Sequence, residues 1–190
     1  ARFLLDRIMN SRAPQNRTLT CSDAEIATFS TRLLSLSTGT TVEAITDRII
    51  NQDLFEVRSF LPASFVDLLV LDPPYNLTRD YNGHVFHSKE AVDYSAWFDR
   101  VLSLLLPLLK PTASIYVCSD WRTSNLIFPI LDKKLHVKNR ITWEREKGRG
   151  AKKNWKNNTE DIWFCTASDT FHFDLQAVML KRRVIAPYRF

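Results

Sequence analysis

The ten residues from Asp67 to Asn76, DLLVLDPPYN, constrain the fold of this chain more than any other stretch. The apolar run Leu68 to Leu71 has the length of one buried strand and is too short for a helix. Asp72 follows it, and two prolines then prevent both helix formation and strand pairing. A carboxylate, free backbone carbonyls and the ring of Tyr75 are therefore presented together at the carboxyl end of a strand. In open α/β sheets that edge is where ligands bind.

The segments after Tyr75 alternate between helical and strand patterns. A polar stretch, Asn76 to Ser88, reads as a loop with Asp80, Asn82 and Gly83 as turn-formers. The later segments predict, in order, a helix from Val92 to Leu109, a strand from Ala113 to Cys118, a helix from Trp121 to Leu131, and strands from Leu135 to Trp143 and from Ile162 to Cys165. This alternation predicts an α/β fold with a doubly wound sheet.

The N-terminal part has a helical character. Apolar residues at helical spacing predict one helix over Phe3 to Met9 and another over Thr41 to Ile50. Between them, a helix capped by Thr20 or Ser22 has the apolar stripe Ile26, Phe29, Leu33, Leu34 and Leu36, and Gly39 ends it. We therefore divide the chain into a helical extension, residues 1–50, and a second region, residues 51–190.

Composition and charge narrow the class of protein. The chain has 190 residues, 45% of them hydrophobic and 25% charged, which is typical of one globular domain. Its three cysteines are widely spaced and form no CxxC pair, so we expect a reduced, cytoplasmic protein without a metal site. The net charge of +5 is concentrated in a basic patch that contains Arg140, Arg145, Lys147, Arg149, Lys152, Lys153 and Lys156 and is interleaved with Trp143 and Trp155. Such a patch indicates a nucleic-acid partner, although a merely solvated loop has the same composition.

Several ordered blocks resemble one family. Asp72-Pro73-Pro74-Tyr75 after an apolar strand resembles motif IV of the DNA methyltransferases that modify exocyclic amino groups, mainly N6 of adenine. Ser114 to Val117 resembles motif V or VI of that family, and Ile141 to Trp143 with Glu160 to Trp163 resembles the motif VII–VIII region. A catalytic region that starts at motif IV is similar to the β-class order. The resemblance implies a Rossmann-like, S-adenosylmethionine-dependent methyltransferase of duplex DNA, bacterial and nucleoid-associated, in a restriction–modification system.

The resemblance also implies roles for individual residues. Asp72 and the Pro73 carbonyl would each accept one N–H of the target amino group, while Tyr75 would stack on a flipped-out base. Trp143 is the predicted opposing wall, with a core position as the alternative. Asp53 and Leu54, together with Asp72, would bind the methyl donor, although Asp53 is equally consistent with a helix cap. The residues expected to contact DNA are Asn76, Trp143, Arg145, Lys147, Arg149, Lys152, Lys153 and Lys156.

The chain departs from the family pattern in its glycines. The chain has only four, and none lies in a Gly-x-Gly turn between a strand and a helix, which β-class enzymes use to hold the donor. We therefore expect a fragment, a split enzyme whose second chain supplies the missing half, or an inactive binding remnant; a homodimer is a further expectation. Methylation of cytosine N4 and a non-catalytic DNA-binding subunit remain the alternative functions, and RNA is a less favoured substrate.

Overall fold

The computed structural model describes residues 20–81, 84–149, 153, 155 and 157–179, with backbone only at 81, 84 and 146–149. The helices are α1 (Asp23–Ser30), α2 (Val42–Ile45), α3 (Leu54–Val57), α4 (Ala91–Leu105), α5 (Trp121–Lys134) and α6 (Leu175–Val178). The strands are β1 (Leu33–Leu34), β2 (Ile49–Ile50), β3 (Val66–Leu71), β4 (Arg79–Tyr81), β5 (His84–Phe86), β6 (Leu109–Ser119), β7 (His136–Arg149) and β8 (Asn157–Thr166). Two 3-10 turns, Arg58–Phe60 and Leu106–Leu108, follow α3 and α4. Across these described residues, every helix is too short or too polar to cross a bilayer.

A four-stranded sheet forms the centre of the molecule, in the order β3-β6-β8-β7. β3 pairs with β6 in parallel, with Leu71 opposite Val117, whereas β8 is antiparallel to both of its neighbours. The predicted α/β class is confirmed, and the sheet is mixed. Because β3 and β6 are parallel, the segments that follow their carboxyl ends meet at one edge of the sheet.

The helices pack against one face of this sheet. Three helix residues are fully buried against Ile115 and Val117 of β6: Tyr94 and Phe98 of α4, and Ile127 of α5. The i, i+4 spacing of Tyr94 and Phe98 places both on one face of α4. The opposite face is partly covered near β8, where Phe171 and Phe173 contact Phe164, which in turn stacks on Tyr116. On β3 the same face is open, because Leu68 and Val70 are 57% and 63% exposed. A doubly wound sheet has a layer of helices on each face. The described residues place helices on one face only.

Several predicted boundaries in the second region are wrong. α4 ends at Leu105 and is followed by a 3-10 turn, Leu106–Leu108, that contains Pro107. β6 then starts at Leu109, earlier than predicted. The stretch predicted as a loop before α4 contains the antiparallel pair β4 and β5. β7 and β8 extend far into the basic patch, which is thus largely a β-hairpin. β6 starts early because Leu109 pairs with Val66 of β3. The β4–β5 and β7–β8 hairpins form by pairing between neighbouring strands, which the pattern of a single segment does not show.

The N-terminal extension is less helical than predicted. The capping box of Ser22 and Glu25 starts α1, but the helix stops at Ser30. Leu33 and Leu34 then form β1, parallel to β2, so these two residues are not part of a helical stripe. The predicted third helix is confined to α2, and the predicted helix over residues 3–9 lies outside the described residues. Hydrogen bonds between Gln52 and Leu36 connect the two regions that we predicted on either side of residue 50. The division of the chain at that residue stays a prediction.

Candidate active site

The Asp-Pro-Pro-Tyr segment follows β3 and is fixed by hydrogen bonds from two helices. The hydroxyl of Tyr94, on α4, donates to the carbonyl of Pro74 at 2.9 Å. The backbone N–H of Asn76 donates to Oγ1 of Thr123, on α5, at 3.2 Å. Both partners are buried, so they hold the segment in one conformation. This anchoring leaves Asp72 exposed at the end of the strand.

The hydroxyl of Tyr75 contacts an acidic residue on β8, a strand that is separated from β3 by β6. The hydroxyl lies 3.4 Å from Oε2 of Glu160, on β8, and Glu160 also forms an ion pair with Arg145 of β7. Burial, followed by the negative charge of Asp72, raises the pKa of Tyr75, and Arg145 opposes this shift. The phenol therefore stays neutral at physiological pH and serves as a hydrogen-bond donor.

These residues enclose a cavity of about 250 Å³, which we call the Asp72 cavity. Its lining comprises Asp72, Pro73, Tyr75, Leu77, Arg79, Trp143, Arg145 and Glu160. Trp143 is 55% exposed, so its alternative assignment to the core is wrong. The cavity thus combines a carboxylate, a proline backbone and two aromatic rings with one ion pair, a combination suited to a flat, polar, aromatic ligand.

Two predicted donor-binding residues lie outside this cavity. Asp53 caps α3, since its Oδ1 accepts the N–H of Phe55 at 2.7 Å. Leu54 packs on the helix-covered face of the sheet, together with Leu71. Neither lines the Asp72 cavity. The predicted role of Asp53 and Leu54 therefore depends on a ligand that reaches beyond the cavity.

The predicted DNA contacts differ in where the structure places them. Arg145 and Trp143 line the cavity, whereas the side-chain amide of Asn76 is engaged by the backbone of Lys89, at 2.7 and 2.8 Å. Lys153 is exposed. Lys147 and Arg149 lie on β7 with side chains outside the description, and Lys152 and Lys156 lie outside the described residues.

Sequence analysis missed Glu160 as a site residue. A carboxylate that is only 9% exposed, on a strand with buried neighbours, requires a partner, and Arg145 supplies it. The signal was present, because Glu160 lies in the block that resembles the motif VII–VIII region. Its position beside Tyr75 was not readable, since the two residues are 85 positions apart in the chain.

Comparison with known proteins assigns the family. The sequence model of the N6 and N4 methylases, described as DNA methylase, matches residues 66–183, which is more than half of the chain. The chain belongs to the N6/N4 DNA methylase family. The matched region includes the Asp72 cavity, while Asp53 and Leu54 precede it.

Relatives of this N6/N4 methylase chain are distant and longer. The DNA adenine methyltransferase YhdJ of Escherichia coli is 28% identical over 150 residues, covering 74% of this chain and 50% of the relative. The type II methyltransferase M.BglII of Bacillus subtilis is 24% identical over 151 residues, covering 72% of this chain and 40% of the relative. The chain thus spans about half or less of the length of these relatives.

A solved structure shares the fold. The PvuII DNA methyltransferase, described as cytosine-N4-specific, superposes with a TM-score of 0.58 at 16% identity, over 70% of this chain and 53% of that one. At this identity the similarity establishes the fold of the N6/N4 methylase chain and nothing about its substrate.

Proposed function

We propose that this chain carries the catalytic half of a DNA methyltransferase that transfers a methyl group from S-adenosylmethionine to N6 of adenine. The substrate is a base flipped out of duplex DNA, in a bacterial, cytoplasmic restriction–modification system. The observation that carries the proposal is the Asp72 cavity, in which Asp72, Pro73 and Tyr75 meet Trp143. The family membership of residues 66–183 supports the same reaction.

The chemistry depends on making a poor nucleophile reactive. The lone pair of an exocyclic amino nitrogen is delocalised into the ring, and both of its N–H groups need acceptors if it is to become localised. Asp72 accepts one N–H and the Pro73 carbonyl accepts the other, while the neighbouring carbonyl of Pro74 is occupied by Tyr94. The nitrogen is thereby drawn toward tetrahedral geometry, with its lone pair available for an in-line transfer.

The target base would be held by stacking. Tyr75 offers a ring whose position is fixed by the proline backbone and by Glu160, and Trp143 offers a second aromatic surface. A flipped base loses its stacking in the duplex, which aromatic side chains replace. Because Arg145 neutralises Glu160, the cavity does not add an uncompensated negative charge beside Asp72.

The residues present fit the reacting end of the methyl donor. S-adenosylmethionine supplies, when bound, an electrophilic methyl group on a positively charged sulfonium, and the exposed carboxylate of Asp72 is suited to that charge. Asp53, Leu54 and Asp72 are the residues that would hold the donor. The described residues include no glycine-rich turn that lets the backbone approach its remaining part.

The rest of the donor site is proposed to come from a second chain or another segment. The open face of β3 supports this, because Leu68 and Val70 leave an apolar surface on the strand that precedes Asp72. Burying that surface would complete the second layer expected of the fold.

Adenine is preferred over cytosine as the target. Asp rather than Ser before the two prolines favours adenine N6, and the relative from Escherichia coli is described as a DNA adenine methyltransferase. Cytosine N4 is the second candidate, since its amino group poses the same chemical problem. A non-catalytic DNA-binding subunit is the alternative if methyl transfer is absent.

A methyl-transfer assay tests the proposal. The protein, isolated from its source with any co-purifying chain, is incubated with labelled S-adenosylmethionine and mixed duplex DNA, and the methylated nucleoside is identified by mass spectrometry. We expect N6-methyladenine, and Asp72→Ala should lower the rate by roughly 100- to 1000-fold, as expected for loss of one group that stabilises the transition state.

Asp67→Asn is the matched control. Asp67 is an exposed carboxylate on the same strand, paired with Lys110 and outside the Asp72 cavity, so transfer should be unchanged. Formation of N4-methylcytosine would correct the target base. DNA binding without any transfer would replace the catalytic function by the binding one.

A further inference from the structure

A second, larger cavity adjoins the Asp72 cavity. Its volume is about 570 Å³, and its lining comprises Tyr75, Leu77, Arg79, Asp120, Trp121, Arg122, Arg145, Trp155, Asn157, Thr159 and Glu160. Tyr75, Leu77, Arg79, Arg145 and Glu160 line both cavities, so the two are continuous. We call this space the Trp121 cavity; Tyr75 and Arg145 in its lining are predicted site residues, whereas Arg79, Trp121 and Arg122 are not.

The aromatic residues of this cavity are available for stacking. Trp121, the first residue of α5, is 53% exposed, and Trp155 is 95% exposed. The guanidinium carbon of Arg122 lies 5.0 Å from the centroid of the Trp121 ring. A half-exposed indole beside a guanidinium is a surface on which a nucleobase stacks, because both groups have flat faces that attract a π system.

The charges of the cavity favour an anion. Arg145 is paired with Glu160, and the carboxylate of Asp120 accepts the N–H of Thr123 at 2.7 Å as the cap of α5. Within the described part of the chain, Arg79 and Arg122 form no ion pair with a carboxylate. Two guanidinium groups are thus free to bind phosphate beside an aromatic surface.

We propose that the Trp121 cavity binds the DNA nucleotide next to the target base. The neighbouring base stacks on Trp121, and Arg79 and Arg122 bind the phosphates that connect it to the flipped nucleotide. This inference rests on the proposed function, because the shared wall of Tyr75 and Arg145 is what brings the second nucleotide beside the first. It assigns DNA contacts to residues that lie outside the basic patch of the sequence.

Binding measurements on single-residue variants test this subsite. Trp121→Ala should weaken binding of a fluorescein-labelled mixed-sequence duplex by roughly tenfold, the effect of losing one stacked base, whereas Trp121→Phe should retain most of the affinity. Arg122→Gln should lower the slope of log affinity against log salt by about one, because one phosphate contact is lost. Melting temperatures of all variants should stay at the wild-type value.

The chain offers a matched control at Phe29 of α1 and at Arg32, shortly after the end of that helix. The guanidinium of Arg32 lies 5.4 Å from the ring centroid of Phe29, which reproduces the arginine–aromatic pair outside both cavities. Phe29→Ala and Arg32→Gln should leave DNA affinity and its salt slope unchanged. An equal loss in these controls would mean that the effect is non-specific and would overturn the subsite.

The donor is the other source of a nucleobase, and the same variants distinguish it. Binding of S-adenosylmethionine, measured by calorimetry, should be unchanged in Trp121→Ala; weaker donor binding with unchanged DNA binding would overturn the inference. If the wild type transfers methyl groups and Trp121→Ala binds DNA normally, this inference fails and the proposed function stands. If the wild type binds no DNA and transfers no methyl group, both fail.

Discussion

Tyr75 has two chemically separate parts in the Asp72 cavity. Its ring lines the cavity, whereas its hydroxyl lies 3.4 Å from Glu160, outside the short range of strong O–H···O bonds. The ring is proposed to stack on the target base, and the hydroxyl only helps to orient it. The two parts therefore predict different consequences of substitution.

We expect Tyr75→Phe to retain most methyl transfer and Tyr75→Ala to lose at least about tenfold, because stacking on one base contributes about 1–3 kcal/mol. Initial rates at saturating donor give the comparison. Tyr116→Phe is the control, since Tyr116 stacks on Phe164 on the sheet and lines neither cavity. Equal losses for Tyr75→Phe and Tyr75→Ala would assign the function to the hydroxyl instead.

The three cysteines differ in burial: Cys165 is buried, Cys118 is half-buried and Cys21 is exposed. Burial, followed by the charge of Asp132, raises the pKa of Cys165 to about 12. Burial and then the charge of Asp72 also raise the pKa of Cys118. The reactive form is the thiolate, so a raised pKa leaves less of it at a given pH.

In the native protein at pH 8 we expect iodoacetamide to modify Cys21 first, Cys118 more slowly and Cys165 only on unfolding, as followed by peptide mass spectrometry. The pKa of Cys165 is raised on folding, so the folded state keeps its thiol proton while the unfolded state loses it. Its contribution to stability is therefore full below about pH 8.5 and falls as the pH rises toward 12. Rapid native labelling of Cys165 would contradict its burial.

Elements with strong local patterns formed where the sequence predicts them. β3, α4 and α5 lie within a few residues of their predicted positions, because periodicity and flanking prolines act locally. β1, β2 and the β4–β5 pair were missed. Strands of two or three residues carry too little pattern, and each depends on its partner; Leu33, for example, pairs with Ile49.

The link between the N-terminal elements and the segment that follows residue 50 is testable at Gln52. Its side chain accepts the N–H of Leu36 at 2.8 Å and donates to the carbonyl of Leu36 at 3.0 Å. Gln52→Ala should lower the free energy of unfolding by about 1–2 kcal/mol, since two part-buried hydrogen bonds are lost. Hydrogen exchange should speed up at the amide of Leu36.

Gln176→Ala is the control for that experiment, since Gln176 is an exposed glutamine in α6. It should change the free energy of unfolding by less than about 0.5 kcal/mol. An unchanged exchange rate at Leu36 in Gln52→Ala would show that the N-terminal elements are held by other contacts.

At the scale of the whole molecule, the described residues place helices on one face of the sheet and cover the other face near β8 but not at β3. Val70 on β3 is 63% exposed, whereas Val117 on the adjacent β6 is fully buried beneath the helices. The two valines have the same chemistry and lie on opposite faces. Burial and not strand propensity should therefore decide what each contributes to stability.

We expect Val117→Ala to cost about 2 kcal/mol and Val70→Ala less than about 0.5 kcal/mol, measured by urea unfolding monitored by circular dichroism. A loss in Val70→Ala as large as that in Val117→Ala would mean that the open face of β3 is covered in solution. If Val70→Ala lowers stability further only when a second chain is present, that chain supplies the layer that covers β3.

The sequence by itself determined the α/β class, the strand before Asp72 and the presentation of Asp72 and Tyr75 at its end. These features depend on apolar runs and prolines within about ten residues, whose effects do not need the rest of the fold. The tertiary structure decided which distant residues join them: Glu160 and Trp143 enter the Asp72 cavity, and Asp53 does not. That outcome depends on the pairing of β7 with β8, where Trp143 lies opposite Glu160. It also depends on the pairing of β8 with β6, which places this hairpin beside the Asp72 segment. Register is set by contacts between paired strands, which the pattern of a single strand does not encode.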